Sequence, residues 1–150
     1  LNVSIIGDVV HSRVARSDVH ALRTLGAEVT LAGPQRLLPR SSDTDWDARM
    51  VHSRQEALSG ADAVIVLRIK TEKIHGDVID TNTFIRDWGI HEADVDEEMG
   101  PETKILHPGP VIRGVELTDA VADGPSSLIF DQVSKGVAVR MAILDKLLGG

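Results

Sequence analysis

Short apolar runs that alternate with helical segments constrain the fold of this chain more than any other feature. Each run is too short for a buried helix and is flanked by Gly or Pro in most cases, as buried parallel strands are. The predicted strands lie at residues 2–8, 27–34, 48–53, 61–68 and 104–107.

Helical patterns fill the intervals between these strands. Ala15, Val19 and Leu22 recur at helical spacing, and Ser53 with Glu56 three residues later forms a capping-box pattern. Two more helices are expected around residues 80–88 and 91–99. A C-terminal amphipathic helix ends at Gly149, and its apolar positions are Val137, Met141, Leu144 and Leu148.

This alternation predicts an α/β fold, a Rossmann-like three-layer domain with a mostly parallel sheet flanked by helices. A length of 150 residues suits one domain. In such sheets ligands bind beyond the carboxyl ends of the strands, near the point where the strand order reverses. The candidate site residues are therefore those that follow the strands.

Composition narrows the classes of function. A formal net charge of −7 argues against nucleic acid or an anionic membrane as the main partner. No apolar run approaches the length of a membrane-spanning helix, and no signal peptide is visible. The absence of Cys excludes disulfides and thiolate chemistry and is compatible with a cytoplasmic protein. Because a strand-like run starts directly at Leu1, we expect a piece of a longer chain.

Neither a dinucleotide nor a metal is expected as a cofactor. Gly7 alone follows the first strand, where a dinucleotide site would have G-x-G-x-x-G, and the second strand ends without an acid. The six His residues are scattered and form no metal-binding motif. The acidic run at residues 91–102 has the spacing of a solvated helix face rather than of a calcium loop.

Two arginines near strand ends are the first candidates for a binding site. Arg13 lies at or near the start of the first helix, where backbone N–H groups favour an anion, although a solvated first-turn residue is the alternative. Arg68 ends an apolar strand, so we expect its stem to be buried and its guanidinium to pair with an acid such as Glu72 or with an anionic ligand. With Lys70 on the same side of an extended strand, these cations would suit a small dicarboxylate.

The sequence His107-Pro108-Gly109-Pro110 predicts a stiff turn after the last strand. The prolines fix φ and lack N–H donors, and Gly109 lets a ligand approach the backbone closely. Carbonyl groups of this turn would be free to accept hydrogen bonds from a ligand NH₂ group, and an X-Pro bond here is a candidate for the cis form. A rigid connection without a binding role is the alternative.

Four motifs together resemble the aspartate-binding half of the aspartate carbamoyltransferase family. They are GDVVHSRVARSD, VLRIKTEK, LHPGPVIRGVEL and QVSKGVAVRMAIL, which follow the family's order and spacing over nearly the whole chain. The related enzymes that carbamoylate ornithine have a Cys-Leu-Pro turn in place of HPGP, and they would require an acidic group to recognise the ornithine amine.

The resemblance implies a transferase that joins carbamoyl phosphate to L-aspartate, giving N-carbamoyl-L-aspartate and phosphate in pyrimidine biosynthesis without a metal or organic cofactor. By motif match, the residues that would bind L-aspartate are Arg13, Arg68 and Lys70. Those that would meet the carbamoyl group of carbamoyl phosphate are Pro108, Gly109 and Pro110. No side chain would be a nucleophile or an acid–base catalyst, since catalysis would rest on holding the reactants together and stabilising developing charge. The segment after Arg68 would form a mobile loop that closes over aspartate.

The chain also departs from the family pattern. The family usually has Gln at the position of Lys70, and it has a Lys shortly before Arg13, where this chain has Val10 and His11. The amino-terminal motifs that bind carbamoyl phosphate, Ser-Thr-Arg-Thr-Arg and His-Pro-x-Gln, are absent. We therefore expect residues 1–150 to be the L-aspartate-binding domain alone, inactive without its amino-terminal domain and part of a homotrimer in full-length form. A non-catalytic amino-acid-binding module of the same ancestry is the alternative.

Overall fold

The computed structural model describes residues 1–40, 46–69 and 80–149. Within these residues, five parallel strands form one sheet in the order β3-β2-β1-β4-β5. The strands are β1 (Asn2–Ile6), β2 (Glu28–Ala32), β3 (Arg49–Val51), β4 (Ala63–Val66) and β5 (Lys104–Leu106). The helices are α1 (Arg13–Thr24), α2 (Arg54–Leu58), α3 (Thr81–Trp88), α4 (Glu92–Glu97), α5 (Asp119–Ala122) and α6 (Ile129–Leu148), with a 3-10 turn at Gln35–Leu37.

The central strand β1 sets the register of the sheet. Its last residue, Ile6, pairs with Ala32 of β2 on one side and with Val66 of β4 on the other. The chain adds β2 and β3 on one side of β1 and then returns to add β4 and β5 on the other side. The strand order therefore reverses between β1 and β4, which is where a parallel sheet opens a crevice at its carboxyl edge.

Two hydrophobic clusters cover the two faces of the sheet, because successive side chains of a strand point to opposite faces. Ile5 packs with Ala15 and Val19 of α1 on one face, whereas Ile6 belongs to the cluster on the other face. That second cluster also takes in residues from the remaining helices, namely Ala57, Leu58, Phe84, Trp88, Val95, Val121, Ala122 and Ile129. The prediction of a three-layer α/β domain is confirmed.

Side-chain oxygen atoms cap several helices at their first turn, where backbone N–H groups have no partner within the helix. The Ser12 hydroxyl accepts from the Ala15 N–H at 3.1 Å, and the Asp80 carboxylate accepts from the Thr83 N–H at 2.8 Å. Ser53 caps α2 as predicted, but the Glu56 side chain forms an ion pair with Arg49 rather than completing the capping box.

The structure differs from the sequence expectations mainly at element ends. The strands are shorter than predicted, because the chain leaves the sheet at Gly7, Gly33 and Leu67. Helix α5 and the 3-10 turn were missing from the prediction, since segments of three or four residues carry too little periodicity to be recognised.

Helix α6 forms as predicted, but its apolar side chains lie in solvent. Val137, Met141, Leu144 and Leu148 are between 57% and 81% exposed. Ile129, in the first turn, is the one residue of α6 that is buried among those the structure describes. In the described part of the chain, no helix combines the length and the apolar character needed to cross a membrane.

Gly33→Ala should destabilise the domain by roughly 1–3 kcal/mol, because the new methyl group overfills a closely packed region. A Cβ atom at Gly33 would lie 2.6 Å from the carbonyl oxygen of Gly7, at the carboxyl edge of the sheet. Gly100→Ala is the matched control, because its Cβ would meet only the Thr103 hydroxyl at 3.4 Å. Urea unfolding measures the difference, and equal stability of the two variants would contradict the tight contact.

Candidate functional site

A cleft of about 510 Å³ opens at the carboxyl edge of the sheet, where the strand order reverses. Segments that follow β1, β4 and β5 line it, through Asp8, His11, Ser12, Arg13, Val14, Arg68, Pro108 and Gly109. Four of the six predicted site residues therefore meet in one place. Pro110 is next to the cleft in the chain but does not line it, and Lys70 lies outside the described residues.

Arg13 is the first residue of α1, so its position follows from the cap at Ser12. Its side chain is exposed. Among residues 1–40, 46–69 and 80–149, no acid forms an ion pair with Arg13 or with Arg68. Both guanidinium groups thus keep their hydrogen-bond donors available for a planar anion such as a carboxylate.

The expectation that the stem of Arg68 is buried is wrong. Strand β4 ends at Val66, and the chain continues with alternating side-chain directions, so that Leu67 and Ile69 are 1% and 2% exposed while Arg68 points to solvent. Leu67 and Ile69 occupy the inward positions, and the Arg68 side chain lies on the cleft side. Its suggested partner Glu72 lies outside the described residues.

Asp8 is a site residue that the sequence reasoning missed. Its side chain is 1% exposed, and its Oδ1 atom accepts from the backbone N–H of His11 at 3.3 Å and from the His11 Nδ1 atom at 2.8 Å. Its Oδ2 atom has no hydrogen-bond partner among the described residues. The buried carboxylate fixes the His11 ring at the cleft, and a Gly-Asp pair directly after a strand was the available signal.

The turn after β5 is held by His107, which is fully buried. Its Nδ1 atom accepts from the Gly109 N–H at 2.9 Å, an arrangement that requires the proton of a neutral ring to be on Nε2. Gly109 has φ of 73°, and the Gly109–Pro110 bond is cis, as expected for one X-Pro bond here. In the described part of the chain no group donates to the carbonyl oxygens of Pro108, Gly109 or Pro110, so these acceptors are available.

The described residues contain no group of three or more His, Asp or Glu side chains arranged to hold a metal ion. The cleft instead offers two guanidinium groups, one oriented imidazole and a rigid turn with free carbonyl groups. A parallel α/β sheet with arginines at its reversal point is typical of domains that bind a small anionic molecule.

Comparison with known proteins narrows this class. The family model for the Asp/Orn binding domain of aspartate/ornithine carbamoyltransferase matches residues 1–147. The chain is 50% identical to the aspartate carbamoyltransferase catalytic subunit of Anaeromyxobacter sp. (strain Fw109-5), over 99% of this chain and 47% of that protein. It is 44% identical to the catalytic subunit of the same name from Saccharopolyspora erythraea, with the same coverage. The chain belongs to the aspartate/ornithine carbamoyltransferase family, as an Asp/Orn binding domain.

Solved structures agree with this assignment. Ornithine carbamoyltransferase from Thermus thermophilus superposes with a TM-score of 0.77 at 26% identity, covering 99% of this chain and 48% of that one. The enzyme from Pyrococcus furiosus superposes with a TM-score of 0.80 at 23% identity, covering 97% and 49%, which supports the fold alone. The chain spans about half the length of the curated relatives that it matches.

Removing either arginine should weaken the binding of succinate, an unreactive four-carbon dicarboxylate. We predict that Arg13→Ala and Arg68→Ala each raise the dissociation constant by about tenfold or more, since a hydrogen bond to a charged group contributes roughly 1.5–3 kcal/mol. Isothermal titration calorimetry measures the affinity. Arg140→Ala is the control for net charge, because Arg140 lies on the exposed helix α6. Equal affinities for all three variants would remove the arginines from the site.

Proposed function

We propose that this chain is the L-aspartate-binding domain of an aspartate carbamoyltransferase, an enzyme that converts carbamoyl phosphate and L-aspartate to N-carbamoyl-L-aspartate and phosphate in pyrimidine biosynthesis. One observation carries the proposal. Arg13 and Arg68, from separate strand ends, line a single cleft with the Pro108–Gly109 turn, in a chain 44–50% identical to aspartate carbamoyltransferase subunits.

The two sides of the cleft would bind different substrates. The guanidinium groups of Arg13 and Arg68 would bind the two carboxylates of L-aspartate. By motif match with the family, Lys70 would also contact L-aspartate. The carbonyl groups of Pro108, Gly109 and Pro110 would accept hydrogen bonds from the NH₂ of the carbamoyl group.

The aspartate amine would then lie against the carbamoyl carbon. A carbon–nitrogen bond forms and the bond from carbon to the phosphate oxygen breaks, with its electron pair going to the leaving phosphate. The proton that the amine loses would pass to that phosphate. Bond formation and bond cleavage need no covalent enzyme intermediate. Most of the rate acceleration would therefore come from alignment of the two reactants and from stabilisation of charge on the leaving phosphate.

The charges of the cleft favour aspartate over ornithine as the amino-acid substrate. Ornithine carries a second amine, which requires an accessible acid. The described acid that lines the cleft is Asp8, whose carboxylate is 1% exposed and hydrogen-bonded to His11. The curated relatives at 44–50% identity are named as aspartate enzymes, whereas the matched ornithine enzymes of known structure are 19–26% identical.

An amino-terminal carbamoyl-phosphate domain, absent from this chain, would complete the enzyme. The chain spans 47% of the length of its relatives, and helix α6 leaves nine large apolar side chains in solvent, at Phe130, Val133, Val137, Val139, Met141, Ile143, Leu144, Leu147 and Leu148. Apolar surface of this extent is typical of an interface. The full-length protein would be a cytoplasmic homotrimer, and the domain alone would be inactive.

A non-catalytic amino-acid-binding module of the same ancestry is the second candidate. The observation in its favour is Lys70, which replaces the Gln that the family usually has and would change a polar contact with the amino acid. Such a module would bind L-aspartate without turnover even when its partner domain is present.

Joining the chain to the amino-terminal half of the Anaeromyxobacter relative separates the two candidates. We predict formation of carbamoyl aspartate by the fused enzyme, and a KM for aspartate about tenfold or more higher in Arg68→Ala, because the charged contact is lost in the bound state. Arg49→Ala should leave this KM unchanged, because Arg49 starts β3 at the opposite edge of the sheet. A folded fusion that binds aspartate without turnover would favour the binding module, and an unchanged KM in Arg68→Ala would exclude Arg68 from the site.

Helix α6 provides a test of the missing domain. Met141→Lys should change the stability of the 150-residue chain by no more than about 0.5 kcal/mol, because the side chain is 65% exposed there. In the fused enzyme the same change should lower the melting temperature, since a charge would enter an interface. Lys135→Ala, on the same helix and exposed, is the control. Equal melting temperatures of the two fused variants would show that this part of α6 stays in solvent.

A further inference from the structure

The Glu116 side chain is a buried acid that the proposed reaction does not use. It is 0% exposed, in the segment that leads from the turn after β5 to helix α5. A carboxylate in such a place requires hydrogen-bond donors, because burial removes its hydration. The hydrogen-bond donors around the Glu116 carboxylate therefore indicate its role.

The two carboxylate oxygens of Glu116 bind two different loops. Oε1 accepts from the backbone N–H of Ile69 at 2.8 Å, and Oε2 accepts from the backbone N–H of Ile112 at 2.7 Å. Both distances are typical of strong bonds to a charged acceptor. Ile69 directly follows Arg68, and Ile112 comes two residues after Pro110.

The third neighbour of this carboxylate is His107, the residue that shapes the turn. Its Nε2 atom lies 3.4 Å from Oε2 of Glu116, and neither side chain is exposed. The same ring accepts from the Gly109 N–H through Nδ1. Glu116 is itself anchored, since its carbonyl oxygen accepts from the Ile90 N–H at 2.9 Å.

We propose that Glu116 is a positioning residue that couples the segment after β4, residues 67–69, to the His107–Pro110 turn. The inference rests on the proposed function, because it concerns the two sides of the cleft assigned to the amino acid and to the carbamoyl group. One rigid carboxylate holds both loops, so the carboxylate site at Arg68 keeps a constant distance from the carbonyl groups of the turn. Misplacement of reactants by about 1 Å can cost roughly a hundredfold in rate, which makes this distance important.

Glu116→Gln in the fused enzyme tests the coupling with no change in side-chain volume. An amide has one acceptor oxygen and a donor NH₂ group, so it can keep one of the two backbone bonds and loses the other. We predict that kcat/KM for aspartate falls about tenfold or more, with kcat reduced and the KM for aspartate raised together.

Thr103→Val is the matched control. The Thr103 hydroxyl donates to the Ala61 carbonyl at 2.6 Å and is buried, but it lies before β5, at the opposite edge of the sheet. It should lower the melting temperature without a change in kcat or KM. If Glu116→Gln has kcat/KM within twofold of the unaltered enzyme, or the same loss as Thr103→Val, the proposal is overturned.

Amide hydrogen exchange tests the coupling in the unaltered fused protein, even if Glu116→Gln does not fold. Succinate bound at Arg68 should slow exchange at both Ile69 and Ile112, because one carboxylate holds both N–H groups. Slower exchange at Ile69 with no change at Ile112 would refute the coupling. Failure of the proposed function has a different signature, namely absence of carbamoyl aspartate from the unaltered fusion.

If succinate does not bind, exchange at the Ile69 and Ile112 amides still distinguishes failure of the coupling from failure of the proposed function. In that case Glu116→Gln should still speed exchange, relative to Thr103→Val, at whichever of Ile69 and Ile112 loses its acceptor oxygen. Unaltered exchange rates at both amides would contradict the coupling.

Discussion

The backbone contact between Gly7 and Leu67 is the constraint on which the site depends. A Cβ atom at Gly7 would lie 2.9 Å from the Leu67 carbonyl oxygen, and one at Gly33 would lie 2.6 Å from that of Gly7. Only glycine fits such an approach, so the ends of β2, β1 and β4 are packed backbone to backbone. Strands β1 and β4 therefore end side by side, and Arg13 at the start of α1 and Arg68 just after β4 line one cleft.

The cleft is positive although the chain carries a net charge of −7. Five other arginines of the described segments form ion pairs with acids, namely Arg23, Arg49, Arg54, Arg86 and Arg113. The hydrogen bonds that Arg113 donates to Asp123 and Asp119 raise its pKa, and those that Arg23 donates to Asp47 and Glu28 raise the pKa of Arg23. Arg13 and Arg68 have no such acid among the described residues, and exposure removes the desolvation cost that an unpaired buried cation would pay. The charge of both arginines therefore remains available to a ligand in the cleft.

Sequence periodicity was sufficient for the sheet and its helices but not for the contacts that complete the site. The apolar runs predicted the five strands that the described residues form. The convergence of Arg13, Arg68, Pro108 and Gly109 followed from the rule that parallel strands end at one edge. The prediction that the stem of Arg68 is buried was wrong, because the sequence does not show where a strand ends and which side chain then turns outward. Glu116 was missed because its hydrogen-bond donors are backbone N–H groups, which look alike in every sequence. Asp8 was missed because the sequence does not show that its carboxylate is buried beside the His11 ring. The role of Lys70 stays a prediction from the resemblance.

A crystal structure of the fused enzyme with succinate tests the central claim most directly, because it shows where the two carboxylates lie. The account predicts one carboxylate on the Arg13 guanidinium and the other on that of Arg68, within hydrogen-bond distance of about 2.7–2.9 Å, beside the Pro108–Gly109 turn. Succinate bound away from this cleft, or both carboxylates held by other groups while the two arginines stay in solvent, would contradict it.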